Sequence, residues 1–387
     1  MISTGLDALA DRDFADLRGR RVVVASNPTG VLVREGRVVH GVDAMVAAGI
    51  RVVGVLGPEH GFRGTATAGE SEADTVDPRT GIRLLDGYDL SVDALADLIR
   101  TVGADTVVID LQDAGVRFYT YVWTMRRLIL AAARLPGTRV VVLDRPNPLG
   151  RARRGGLLRP GFESSIGEAG ILHQHGLTLG ELAHLFTTPA FGGSGIDLQV
   201  IEASGWDGRP WSTDEGTVWV PPSPNLPTPQ AAFAYPGTGL LEAVTLSEGR
   251  GTTRPFTLVG APWVDERLAE RLSTPAGAVL REAAFEPLAV PHFDTHAGRV
   301  CRGIEVHVTD PAAFDAVRFG VDLLTSARDL YAEFSHRGDD WRWLGLMTGS
   351  DRFRDRLLDG ASTDDLLADW QADQREWDEI VTGSRAG

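Results

Sequence analysis

Residues 58–70 read PEHGFRGTATAGE and follow directly on the apolar run VVGVLG. Two carboxylates, Glu59 and Glu70, an imidazole, His60, and a guanidinium, Arg63, stand among glycines there. A carboxyl group at the end of a buried strand is partly desolvated. That raises its pKa and suits it to general acid or base work. Glu59 with His60 is therefore the sharpest catalytic candidate. A structural account fits the same residues: a loop carboxylate that accepts backbone N–H bonds or pairs with Arg63. The loop alone does not choose between the two.

Three further segments carry chemistry of the same kind. In DLQDAGVRFYTY, Asp113 is followed by Arg117, Tyr119 and Tyr121. Acids take sugar hydroxyls and aromatic rings cover apolar sugar faces, so this set suits a carbohydrate. An Asp–Arg pair that orders the loop is the plainer account. In DRPNP, Asp144, Arg145 and Asn147 are held by two prolines, and a turn clasp is again the alternative. In LLEAVTLSEGRGTTRPF, Glu242, Glu248, Arg250 and Arg254 surround glycines. Two arginines near a glycine turn suit an anionic substituent such as a carboxylate, although such runs are more often solvated charge clusters. Glu181 is discounted, because Thr178-x-x-Glu181 before an apolar stripe is a capping box. A metal reading would group His60, Asp113, Asp144 and His175, but no spacing forces that grouping. His292, His296, His307 and His336 read as surface or interface residues.

Composition removes several mechanisms. All 38 residues counted as Lys+Arg are arginine, so a Walker lysine, a Schiff base and a Ser–Lys dyad are excluded. One cysteine, Cys301, excludes an intramolecular disulfide and reads as a packed thiol on a strand. The formal charge of −15 argues against nucleic acid and anionic membranes as partners. The first loop, SNPTGV, is not GxGxxG, so a dinucleotide site is not expected, and GxSxG and HExxH are absent. The N-terminus lacks a signal-peptide core and no run reaches membrane-spanning length, which sets the expectation of a cytoplasmic chain.

The elements that must position these residues alternate. Residues 21–28, 51–58, 105–113, 139–147 and 196–204 are Val- and Ile-rich with little polar alternation, as strands covered on both faces are. Helical stripes lie between them: Val92, Leu95 and Ile99 behind an N-cap at Ser91; Val122, Met125 and Ile129; Leu179, Leu182 and Phe186. This pattern predicts an α/β fold, a Rossmann-like parallel sheet flanked by helices, with ligands beyond the carboxyl ends of the strands. The proline-rich PPSPNLPTPQ (221–230) cannot be regular helix and marks a boundary between residues 1–230 and a smaller α+β domain at 231–387. There, GIEVHVTD predicts a strand with Glu305 and His307 on its exposed face. A helix is expected from Asp310-Pro311, and the tail STDDLLADWQADQREWDEIV predicts one amphipathic helix.

Taken in order, SNPTGV, GPEHGFRGTATAGE, VDPRTGI, DLQDAGVRFYTYVWTM, LDRPNPLG, HGLTLGELAHLF, PPSPNLPT and YPGTGLLEAVTLSEGRGTTRPF resemble the NamZ-type exo-β-N-acetylmuramidase family almost end to end. The resemblance implies a glycoside hydrolase that releases non-reducing-terminal N-acetylmuramic acid from peptidoglycan fragments, in a cleft between two domains and without a cofactor. It makes Glu59 the catalytic residue and adds Asn225 to the substrate-binding set. The lactyl carboxylate needs a cation, with Arg63, Arg117, Arg145, Arg250 and Arg254 as candidates. The second carboxylate stays open among Glu70, Asp113, Glu242 and Glu248, or is replaced by the substrate's acetamido group. Ser165 and Gln174 stand where relatives often carry phenylalanine and arginine. A sugar-binding protein without catalysis and, more remotely, a metal-dependent hydrolase are the rival readings.

Overall fold

The computed structural model describes residues 2–66, 69–70, 75–212 and 217–386, so two residues of the GTATAGE run lie outside it. In the first part of the chain the strands are β1 (Arg21–Ser26), β2 (Val31–Arg34), β3 (Arg37–His40), β4 (Arg51–Gly57), β5 (Thr75–Val76), β6 (Arg83–Asp86), β7 (Thr106–Asp110), β8 (Arg139–Leu143), β9 (Arg154–Leu157), β10 (Leu172–Gln174) and β11 (Asp197–Ile201). Among the described residues seven of them form one sheet in the order β11-β8-β7-β1-β4-β6-β5. All neighbours are parallel except β5, which runs antiparallel on β6. The five expected strands are all present. They stop one to four residues early because their last residues already belong to the polar loops.

Helices cover both faces, as near-continuous apolar strands require. The helices of this part are α1 (Gly5–Asp11), α2 (Gly41–Ala47), α3 (Val92–Val102), α4 (Tyr121–Ala133) and α5 (Leu179–Phe186). Alternate strand residues point to opposite layers. Val23, Val107, Ile109, Val140 and Val142 pack with α3, α4 and α5, whereas Val22, Val24, Val108, Val141 and Leu143 pack with α1 and α2. Local signals start the helices where the sequence sets them. Ser91 Oγ accepts from Ala94 N–H, and Thr178 with Glu181 closes a reciprocal capping box on α5.

The remainder holds a three-stranded antiparallel sheet of β12 (Leu258–Ala261), β13 (Ala278–Phe285) and β14 (Cys301–Val308), in the order β12-β14-β13. The helices of this part are α6 (Pro229–Thr238), α7 (Glu266–Arg271), α8 (Ala316–Leu330), α9 (Arg342–Thr348), α10 (Asp351–Leu358), α11 (Thr363–Asp369) and α12 (Gln371–Ala386); α6 and α7 pack on the sheet, whereas α12 packs on β9, β10 and α5. The proline-rich run is irregular until Thr228, whose hydroxyl caps α6 with Pro229 in its first turn.

Three expectations need correction. The tail is two helices, α11 and α12, broken at Trp370, whose ring stacks on Phe353 at 4.8 Å. Asp310-Pro311 makes a turn rather than a helix start. Its Asp310 carbonyl accepts from Phe314 N–H at 3.1 Å, and α8 begins after Asp315, which caps Arg318 N–H. Glu305 is buried, not exposed, because Arg254 and Arg281 both reach over it. Arg117 fastens the two parts together. Its buried guanidinium donates to the carbonyls of Gly156, Ile171 and Met347 at 2.7, 3.0 and 2.7 Å.

Candidate active site

The carboxyl end of β4 breaks into a tight turn. Gly61 N–H donates to Pro58 O at 2.9 Å, and His60 takes a left-handed φ of 73°. For a residue with a Cβ this conformation is uncommon and needs surrounding structure to hold it. The turn leaves Glu59 held from two sides. Thr120 donates its hydroxyl to Oε2 at 2.6 Å, and Gly69 donates its backbone N–H to Oε1 at 2.8 Å. Thr120 comes from the loop that follows β7, so the ends of two sheet strands fix one carboxylate. The Tyr121 hydroxyl lies 2.7 Å from Pro222 O and 3.2 Å from Glu59 O, tying this corner to the proline-rich segment.

Glu59 lines a cavity of about 200 Å³ whose walls come from both parts of the chain. His60, Tyr119, Thr120 and Ser165 stand on one side. Asn225 joins them from the first part, and Tyr235, Glu242, Arg250 and Phe293 come from the later one. Arg250 is buried and pinched between rings, 3.8 Å from the Phe293 centroid and 4.7 Å from that of Phe256. Its Nη1 donates to Glu248 at 3.0 Å and its Nη2 to Glu242. Glu248 also receives Arg337 Nη2 at 2.8 Å. Burial alone would raise Glu248, but Arg250 and Arg337 outweigh it and hold the carboxyl below its ordinary value. Burial pushes Glu242 up, against the pull of Arg250 and in step with the repulsion of Glu248. Two acids beside one arginine thus diverge.

The other sequence candidates lie as follows. Glu70 is exposed, and its carbonyl accepts from His60 N–H at 3.0 Å. Arg63 lies over Phe62 and bonds Asp43 and Asp77 at 2.8 and 2.9 Å. Asp113 is buried and accepts from Gly115 N–H at 2.7 Å, with His175 Nε2 at 2.9 Å. Arg117 is the buried inter-region clamp described above. Asp144 is buried and accepts from the N–H groups of Arg145 and Gly180 at 2.9 and 2.6 Å. Arg145 pairs with Asp110, and Asn147 braces its own turn through Leu149 N–H and Leu177 O. Arg254 reaches Glu305 at 2.6 Å with half its side chain exposed. Of the four residues of the metal grouping, Asp113 and His175 meet, without His60 or Asp144 joining them in a cluster. Among the described residues no three metal-ligating side chains cluster.

Several cavity residues escaped the sequence reading. Thr120 sits inside the DLQDAGVRFYTY run, and its neighbours drew the attention. Tyr235 stands in the YPGTGLL block, whose chemistry is invisible without the fold. His292, read as a surface residue, is exposed but also lines the cavity mouth, with φ 64°. Of the two positions where relatives often differ, Ser165 lines the cavity, whereas Gln174 is buried elsewhere, facing a separate pocket beside Arg154 and Phe233.

Two family descriptions match the chain consecutively. "Exo-beta-N-acetylmuramidase NamZ, N-terminal" covers residues 22–230, and its C-terminal counterpart covers residues 233–383. The chain belongs to the NamZ exo-β-N-acetylmuramidase family. The peptidoglycan beta-N-acetylmuramidase NamZ of Bacillus subtilis (strain 168) is 34% identical over 381 residues, spanning 96% of this chain and 87% of that protein. Two solved structures of DUF1343 family proteins from Bacteroides fragilis NCTC 9343 share the fold over 99% of this chain and 98% of each of theirs. Their TM-scores are 0.87 and 0.76 at 28% and 26% identity. In this NamZ-family chain Glu59 is the glutamate of the PEHG motif, and that motif borders the cavity shared by both regions.

Proposed function

We propose that this chain is an exo-acting glycoside hydrolase that releases β-linked N-acetylmuramic acid from the non-reducing end of peptidoglycan fragments. One observation carries the reading: two carboxylates, Glu59 and Glu242, line the same cavity with a buried arginine and several aromatic rings. Glycosidases work with two such groups flanking the scissile bond. We assign Glu59 as the proton donor. The glycosidic C–O bond breaks, the leaving oxygen takes the Glu59 proton, and the elements of water complete the two products. The Thr120 hydroxyl rotates between donor and acceptor, so it supports Glu59 in both protonation states. Of the four candidates for the second carboxylate, Glu242 is the one that borders the cavity.

Of the five arginines considered for the lactyl carboxylate, Arg250 is the one on the cavity wall. It already faces Glu242 and Glu248. Tyr119 and Tyr235 supply ring faces for the pyranose. The division into residues 1–230 and 231–387 belongs to this reading, each part giving one wall. So does a cytoplasmic role in recycling wall fragments. Among the described residues no helix is long and apolar enough to cross a membrane.

The test is a product assay on two defined disaccharides. Release of N-acetylmuramic acid is expected when that sugar is at the non-reducing end, and no release when N-acetylglucosamine is there. Saturable binding of the first disaccharide without cleavage would replace the hydrolase by the sugar-binding reading.

A further inference from the structure

Two strand-end motifs singled out in the sequence do not border the Glu59 cavity. SNPTG after β1 and DRPNP after β8 meet in a second groove of about 440 Å³, lined by Thr29, Gln112, Arg145, Trp206, Trp211 and Trp219 among others. Among the described residues none lines both sites. From β1 the chain proceeds outward through β4 and β6, then returns to place β7 on the other side of β1. Thr29 and Gln112 follow these two adjacent strands. The groove therefore occupies the carboxyl edge at the point where strand order reverses, the usual ligand crevice of an open α/β sheet.

Its polar floor is only partly satisfied from within the protein. Arg145 is 5% exposed. Its Nε and Nη2 both lie 2.7 Å from Asp110 Oδ1, while Nη1 has no hydrogen-bond partner among the described residues. Trp219 donates its indole N–H to Leu226 O at 3.2 Å, and Trp211, edge-on to it at 5.5 Å, has no partner for its own indole N–H among the described residues. The groove thus offers N–H donors beside half-buried indole faces.

Charge narrows the ligand class. Asp110 neutralises Arg145, and at the rim Asp7 and Asp11 neutralise Arg34 at 3.2 and 2.7 Å. Among the described residues, these two arginines against three aspartates leave no positive charge for a phosphate or carboxylate. Indole faces and unpaired N–H groups without net positive charge suit a neutral, hydroxylated ring bearing a carbonyl. Peptidoglycan alternates an acidic and a neutral N-acetylated pyranose, and the neutral one matches. We propose that this groove is a second carbohydrate site, binding N-acetylglucosamine units independently of the Glu59 cavity. The choice of sugar rests on the hydrolase reading; the groove's chemistry does not.

The probe is tri-N-acetylchitotriose, which contains no muramic acid, titrated into the full chain by calorimetry and tryptophan fluorescence. Saturable binding with a fluorescence change is expected. Trp211→Ala should weaken it about tenfold through loss of the ring face, and Trp211→Phe less, about threefold, since a ring remains. Glu59→Gln should leave the dissociation constant within about twofold, because no residue is shared between the sites. If Trp211→Ala does not melt cooperatively, Trp211→Phe carries the test. No saturation by about 10 mM triose would overturn the proposal. So would binding that Glu59→Gln weakens and the Trp211 variants do not. Failure of the disaccharide assay with triose binding intact would overturn the hydrolase reading alone.

Discussion

The loop at residues 58–70 and the turn at residues 144–148 are built from the same materials, acid and arginine between glycines or prolines at a strand end. Their carboxylates meet different fates. Glu59 is held by one hydroxyl and one backbone amide and borders a cavity. Asp144 is buried and turned inward, where backbone N–H groups of Arg145, Gly180 and Ala203 point at it. Burial pushes the Asp144 pKa up, while those amides pull it down. An acid saturated by its own backbone is a clamp, here fastening α5 to the end of β8. An acid steadied by a few donors with space beside it is available to a ligand. Residue type and charge alone do not distinguish them; burial and the free volume next to the oxygen do.

Substitutions sharpen that contrast. Glu59→Gln is expected to lower turnover of a chromogenic β-N-acetylmuraminide by about a hundredfold or more with little change in melting temperature. Retained turnover would erase the difference between the two loops. Asp144→Ala should do the reverse. Orphaning several buried amides costs about 1–3 kcal/mol in denaturant unfolding, while turnover of the folded fraction stays near that of the parent. A kcat loss with unchanged stability would count against the clamp. Thr120→Val removes one donor to Glu59 and should lower kcat about tenfold, corresponding to ~1.4 kcal/mol, with KM little affected.

The smallest effect expected is a pH slope from a buried group that is structural like Asp144. Burial first, then the nearby Arg117, pushes His173 down to about 3, and its Nε2 sits 2.7 Å from Pro236 O. Unfolded, the imidazole titrates near its model value of 6.5, so the unfolded chain binds more protons between pH 6.5 and 3. Stability from this group is complete above that window and is lost as pH falls through it. From pH 7 to 6 the loss is below about 1.4 kcal/mol, the limit for one proton per pH unit. His173→Gln should flatten the slope of melting temperature against pH. An unchanged slope would mean that His173 is not held neutral.

Much of the fold was legible because its signals are local. Strand texture at 21–26 or 106–110 and caps at Ser91 and Thr178 depend on residues a few positions apart. The errors have a common cause in distant partners. Trp370 breaks the tail because Phe353 stacks on it. Glu305 is buried because Arg254 and Arg281 cover it. At the site, the same limit separates Arg250 from the other arginines. Each of them stands in a polar, glycine- or proline-marked segment, and only the packing shows that Arg63, Arg145 and Arg254 face Asp77, Asp110 and Glu305, and Arg117 backbone carbonyls.

From the sequence alone came the layered α/β architecture, the family resemblance and the prominence of Glu59, because periodicity, caps and ordered motifs are written along the chain. Which loops share a cavity was decided only by the tertiary structure. Glu59 and Glu242 are 183 positions apart in sequence, and no local interaction carries information over that span. Their joint placement follows from strand order in the sheet and from the docking of the later helices against it. The same docking gave Arg250 its aromatic cage and left Arg145 on a different groove.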